Sequence, residues 1–127
     1  MKNTLEKRDR IRRALIIDDN QESARILKNE LQSKGQFQVD LYTDPFSSLQ
    51  NFKAGLYDVV LIDLILAKTS NNEICSKIMH MDKKVKICYM SGTYQNYEEV
   101  REMFPESERE CFISRPVETQ VLLEKLG

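Results

Sequence analysis

The sequence predicts an α/β fold, a doubly wound parallel sheet with helices on both faces, and three observations carry that prediction. Short apolar runs alternate with amphipathic stretches along the chain, the pattern of a parallel sheet covered by helices. The run Val59-Val60-Leu61-Ile62 is apolar without alternation, as a strand buried on both faces must be. Finally, Asp18, Asp19, Asp63, Ser91 and Arg115 each stand where an apolar run ends. Open α/β sheets hold their ligands at the carboxyl ends of strands, so these ends form the candidate site.

The elements follow in order. Ala14–Ile17 is a short strand ending in Asp18-Asp19. From Asn20 the pattern turns helical, with Ala24, Leu27 and Leu31 at i, i+3 and i+7 and Gly35 as a stop. Phe37–Tyr42 alternates apolar and polar residues, which suits a half-exposed edge strand. Asp44 can cap a helix with Pro45 at its first position, an inner face of Phe46, Leu49 and Phe52, and an end at Gly55. Asp58–Ile62 is the central strand and runs into Asp63. A polar loop, 68–72, precedes a helix with Ile74, Cys75, Ile78 and Met79 inward. Val85–Met90 is the fourth strand, ending at Ser91-Gly92. Asn96–Phe104 is a helix closed by Pro105, with Tyr97, Val100 and Phe104 on one side. Cys111–Ser114 is the last strand, ending at Arg115-Pro116, and Val117–Leu126 is a final helix with Val121 and Leu122 inward.

A length of 127 residues argues for one domain. With 41% hydrophobic and 31% charged residues the chain has a globular balance rather than a disordered one. No apolar stretch approaches the ~20 residues that span a bilayer. The basic start runs into only four apolar residues, Ala14–Ile17, which is no secretory segment. The net charge of −1 conceals an asymmetry, a local +4 over residues 1–13 against −5 for the remainder. Residues 1–11 therefore read as a basic N-terminal extension and 12–127 as the domain. No nucleic-acid reader accompanies that arm, and a +4 arm alone binds weakly and salt-sensitively, which argues against a nucleic-acid partner. Cys75, Cys88 and Cys111 are odd in number with no C-x-x-C pair, so they read as small buried apolar residues of a reducing cytoplasm rather than a disulfide framework or zinc site. His80 reads as a solvent-facing residue near a helix C-terminus. The charged runs Glu98-Glu99 with Arg101-Glu102, and Glu106–Glu110, read as a solvated face, with part of a partner-docking surface as the alternative.

Three carboxylates brought together at strand ends repel, and so invite a divalent cation or a raised pKa. Oxygen ligands without His or Cys favour Mg²⁺, which bridges readily to phosphate oxygens. A carboxylate beside such an ion can attack phosphorus and form an acyl phosphate. Ser91 and Arg115 could then hold the added oxygens.

At this point the chain resembles the receiver domains of two-component response regulators. The matching pieces are Leu15-Ile16-Ile17-Asp18-Asp19-Asn20, Val59-Val60-Leu61-Ile62-Asp63-Leu64, Met90-Ser91-Gly92 and Phe112-Ile113-Ser114-Arg115-Pro116. They fall in the family's order and approximate spacing. The resemblance implies a flavodoxin-like (βα)5 fold with strand order 2-1-3-4-5, for which a receiver protein is itself a standard example. It implies Asp63 as phosphoacceptor, and Asp18, Asp19, Asp63 and the main-chain carbonyl of Ile65 as ligands of Mg²⁺. It also implies Ser91 and Phe112 as switch residues. The implied role is a phosphoacceptor switch rather than a turnover enzyme. Its partners would be a sensor histidine kinase or histidine phosphotransfer protein and a downstream protein target, met in the cytoplasm by a stand-alone receiver. The rival reading is a receiver-like interaction module that no longer signals through phosphate. A haloacid-dehalogenase-type phosphatase ranks last, because its D-x-D-x-T/V motif is absent.

Four departures from the family pattern matter. Arg115 stands where the family has Lys, Ala67 replaces a usual Pro, and Asn71 replaces a usual Gly. The final helix stops at Gly127 about two turns early, so the expected state is a monomer or weak dimer. Ile65 and Thr93 occupy positions that line the path of the attacking water in the family. An apolar Ile65 cannot orient that water, so slow self-dephosphorylation is expected.

Overall fold

A computed structural model of the chain describes residues 11–35, 37–69, 73–91 and 111–127. Its centre is a five-stranded sheet in the order β2-β1-β3-β4-β5, with every neighbouring pair parallel. The strands are β1 (Arg12–Ile17), β2 (Phe37–Tyr42), β3 (Val59–Asp63), β4 (Lys86–Ser91) and β5 (Phe112–Ser114). The described helices are α1 (Gln21–Lys34), α2 (Pro45–Asn51), α3 (Leu64–Thr69), α4 (Glu73–Met81) and α5 (Thr119–Leu126).

Successive strand residues point to opposite faces, so each central strand feeds two cores. Leu15, Ile17, Val60, Ile62, Ile87 and Tyr89 meet Phe52, Leu64, Ala67, Ile74 and Ile78 on one face. Ala14, Ile16, Val59, Leu61, Cys88 and Met90 meet Ala24, Leu31, Leu122 and Leu126 on the other. The unbroken apolar run of β3 is thus explained, since all five of its residues are buried.

Local chemistry sets the helix ends. The Asn20 side chain caps α1 by accepting from the Ser23 N–H at 3.0 Å, and Asp44 caps α2 by accepting from the Phe46 N–H at 3.1 Å. Gly35 follows α1, but its backbone is in the ordinary right-handed region. Glycine is needed there for space, because a Cβ would lie 2.6 Å from Leu123 Cδ2 and 3.0 Å from the Leu31 carbonyl oxygen.

Several expectations are corrected. Phe46 is 68% exposed; Leu49 and Phe52 face inward as expected, Phe52 directly after the helix, and Ser48 rather than Phe46 joins them. Helix α2 ends at Asn51; Gly55 lies in the following turn at φ 81°, where its N–H donates to Asp82. Val121 is exposed and Leu126 takes the inward place. The chain turns helical directly after Asp63, so α3 overlaps the start of the expected loop at 68–72. Arg12 and Arg13 extend β1 two residues before its expected start at Ala14. Arg12 stacks on Phe37 and donates to the Gly127 carbonyl at 2.7 Å, and Arg13 pairs with Asp40, which also accepts from the Tyr57 hydroxyl. The reading of the cysteines changes most. Cys75 is buried as expected, but Cys88 and Cys111 are joined by a disulfide. The expected helix Asn96–Phe104, Gly92, Thr93, Asn71, the charged runs and residues 1–10 lie outside the described residues.

Candidate acidic site at the carboxyl ends of the strands

Strand pairing assembles the site. Ile17 lies opposite Ile62, Asp63 opposite Met90, and Ser91 opposite Ser114, so residues leaving β1, β3, β4 and β5 emerge side by side. Asp18, Asp19 and Asp63 each offer a carboxylate oxygen, and the three atoms lie within 4.8 Å of one another. Asp18 and Asp63 are buried while Asp19 is exposed.

The two buried acids are held by backbone and by one cation. Asp18 Oδ1 accepts from the Asn20 N–H at 3.0 Å. Asp63 Oδ2 accepts from the Ile65 and Leu66 N–H groups at 3.0 and 3.3 Å, at the opening turn of α3, where the helix dipole favours a negative charge. Arg115 spans the remaining oxygens, with Nη1 2.9 Å from Asp18 Oδ2 and Nη2 2.6 Å from Asp63 Oδ1. Its backbone N–H and Nε both donate to the Ser91 carbonyl, at 3.1 and 3.3 Å, which fixes the fork in place. Burial raises the Asp18 carboxyl above its ordinary value, and the Asp63 charge adds to that. The Asn20 N–H and Arg115 oppose the rise.

Of the sequence-predicted site residues, all but Thr93 lie among the described residues. Asp18, Asp19, Asp63 and Arg115 are brought together. Ser91 is buried at the end of β4, its Oγ 3.5 Å from Ser114 Oγ. Phe112 sits on the neighbouring strand, stacked on Tyr89 with ring centroids 5.2 Å apart. The Ile65 side chain is 53% exposed beside Asp63. Asn20 and Ser114 join the site without having been singled out as site residues. Both lie inside the sequence pieces already noted, directly after Asp19 and directly before Arg115.

The donor set also tests the fit to a metal. Three carboxylates facing one guanidinium leave two formal negative charges, and no His or Cys joins the cluster among the described residues. Hard oxygen donors with that residual charge fit Mg²⁺.

A five-stranded parallel sheet of this order, with an acid cluster, a hydroxyl and a guanidinium at its carboxyl end, defines a receiver-type α/β domain. The chain belongs to the response regulator receiver domain family, whose model matches residues 14–127. That membership places it in two-component response regulation, in a class of phosphoacceptor switches rather than turnover enzymes. The chain is 27% identical over 114 residues to the transcriptional regulatory protein DltR of Streptococcus agalactiae, covering 90% of this chain and 50% of that protein. It is 27% identical over 112 residues to the response regulator ArlR of Staphylococcus aureus, covering 88% and 49%. The chain therefore spans about half the length of these relatives. The fold matches a response regulator from Thermotoga maritima with a TM-score of 0.70 at 20% identity, covering 92% of this chain and 95% of that one. It matches a receiver domain protein from Clostridium thermocellum with a TM-score of 0.75 at 19% identity, covering 91% and 90%. Among the described residues no helix is long and apolar enough to cross a membrane.

Proposed function

We propose that the protein accepts a phosphoryl group on Asp63 from a phosphohistidine donor, in a Mg²⁺-dependent step, and thereby switches its binding to a downstream protein in the cytoplasm. The observation that carries this reading is the two-sided environment of Asp63. One carboxylate oxygen is held by the N–H groups of Ile65 and Leu66, and the other, among the described residues, pairs with the Arg115 guanidinium. A carboxylate fixed in this way presents one oxygen, Oδ1, to an incoming phosphorus.

Asp18, Asp19, Asp63 and the Ile65 carbonyl would hold the ion. Bound there, Mg²⁺ supplies charge neutralisation for phosphoryl oxygens. In the transfer, Oδ1 of Asp63 forms a bond to phosphorus as the phosphorus–nitrogen bond of the donor breaks, and the imidazole leaves. Arg115 withdraws from Oδ1 and turns its donors to the transferred oxygens, for which its planar fork is suited. Ser91 Oγ exchanges its weak contact with Ser114 for one of those oxygens. The groove of about 380 Å³ that Arg115 shares with Ile26, Leu27, Pro116 and Val117 offers a partner apolar contact beside the reacting end of the sheet.

One observation favours the rival interaction module: Arg115 already bridges Asp18 and Asp63. Intact mass after incubation with Mg²⁺ and a small acyl phosphate separates the two. A single phosphoryl adduct that vanishes in Asp63→Asn supports the switch. A chain that neither binds Mg²⁺ nor gains the adduct supports the module.

A further inference from the structure

We infer that Cys88 and Cys111 form a reversible redox modification site that sets how firmly β5, and with it Arg115, is held to the sheet. Cys88 lies in β4 and Cys111 directly before β5. The pair Tyr89↔Phe112 begins the β4–β5 register, so the two cysteines stand one step before it, at a Cα–Cα distance of 4.6 Å. That spacing lies within the range a disulfide spans without moving the backbone.

The surroundings suit two states rather than one permanent staple. Both side chains belong to the same apolar cluster, with Met90, Ile113, Leu122 and Leu126. A free thiol is itself at home in such packing, so opening the bond leaves no buried polar group without a partner. The bond links β4 to the start of β5 and spans none of the other strand pairs. What depends on it is β5. This edge strand has three residues and pairs, among the described residues, with β4 alone. Short edges of this kind open locally at low cost.

The bond lies close to the acidic site in sequence. Ser91 is three residues beyond Cys88, and Arg115 is four beyond Cys111. With the bond closed, β5 is anchored at its start, Phe112 stays on Tyr89, and the Arg115 fork stays at Asp18 and Asp63. With the bond open, they are held by the short ladder, the Phe112–Tyr89 stack, the Arg115 ion pairs and the Lys125 bond to the Phe112 carbonyl.

The step is thiol–disulfide exchange with a small-molecule disulfide such as oxidised glutathione. When β5 opens, the Cys111 thiolate attacks one sulfur of the reagent, forming a mixed disulfide and releasing one thiolate. Cys88 then attacks Sγ of Cys111, closing the intramolecular bond and releasing the second. The two cysteine protons pass to the two released thiolates; the cysteine pair loses two electrons and the reagent gains them. A dithiol reverses the sequence.

The test uses the full chain in glutathione buffers of graded redox poise. Samples are quenched, unfolded and alkylated, and then read by intact mass and peptide mapping. The expected result is paired, reversible loss of the Cys88 and Cys111 thiols, unchanged in Cys75→Ala. Hydrogen exchange at the Ile113 and Arg115 amides, which face β4, should be roughly tenfold slower in the oxidised form. Three alkylatable thiols at every poise, or a linkage through Cys75, would overturn the site. Equal exchange rates in the two forms would overturn its coupling to β5.

Discussion

Arg115 Nη2 lies 2.6 Å from Asp63 Oδ1, so the oxygen assigned to attack phosphorus is also the one that carries the ion pair. The guanidinium reaches Asp18 as well, at 2.9 Å, and thereby performs part of the neutralisation a divalent ion would supply. Asp63 is thus held ready but covered, and loading the site requires the fork to move.

Arg115→Ala should separate these roles. Without metal, Asp18 and Asp63 lose their partner and the fold should lose ~2 kcal/mol, less than a fully buried pair because Arg115 is 25% exposed. In the same variant Mg²⁺ should bind roughly tenfold more tightly, since no internal cation competes for the acids. Urea unfolding with and without Mg²⁺ reads both effects. Arg115→Lys should fall between Arg115→Ala and the native chain on each.

Gly35→Ala should destabilise the protein through packing rather than backbone conformation. The new methyl meets Leu123 and the Leu31 carbonyl at the contact between α1 and α5. A loss of about 1–2 kcal/mol is expected. Adding Leu123→Ala should recover part of the Gly35→Ala penalty, a non-additivity that a double-mutant cycle measures.

Asp82 gives a pH dependence of known sign. Its carboxylate accepts from the Gly55 and Lys84 N–H groups, at 2.9 Å each, tying the turn before β3 to the turn before β4. These bonds, the Gly55 one first, hold its pKa below the ordinary 3.8. The depressed value in the folded state means its stabilisation is present above pH 3.8 and lost as pH falls through the folded pKa. Asp82→Asn should therefore be less stable than the native chain at neutral pH, with the gap closing below pH 3.8 in urea melts.

Ile65→Asn should shorten the life of a phosphoryl group on Asp63. Ile65 is half exposed beside the acceptor and carries no group that can orient an attacking water, whereas an amide can. The decay of the adduct after donor removal, followed by mass, should quicken several-fold. An unchanged lifetime would remove Ile65 from the account.

Much of this was legible in the sequence, for physical reasons. Strands buried on both faces must be apolar throughout, so β1, β3 and β4 announce themselves, and with them the positions of Asp18, Asp63 and Ser91. The acid cluster follows from strand ends alone. Helix faces were less legible. Among the described residues, Phe46 in the first turn of α2 and Val121 in α5 are apolar yet exposed, and periodicity alone does not say which side of a short helix meets the sheet. The ion pair between Arg115 and Asp63 and the bond between Cys88 and Cys111 each join segments far apart in the chain, at separations of 52 and 23. No local spacing reports such contacts; only the parallel crossovers that bring β3, β4 and β5 together create them. The helix α3 is not legible because only Asp63 separates the apolar run of β3 from Leu64, Ile65 and Leu66, and no turn residue marks the change of element.

The central claim, that Asp63 is the phosphoacceptor, is tested most directly by trapping the acyl phosphate with borohydride, which reduces a phosphorylated aspartate to homoserine. After treatment with Mg²⁺ and a small acyl phosphate, peptide mapping should find homoserine at position 63 and nowhere else, and none when Mg²⁺ is removed by chelation. Homoserine at another aspartate, or a chain left unmodified at position 63 under saturating donor and Mg²⁺, would contradict the account.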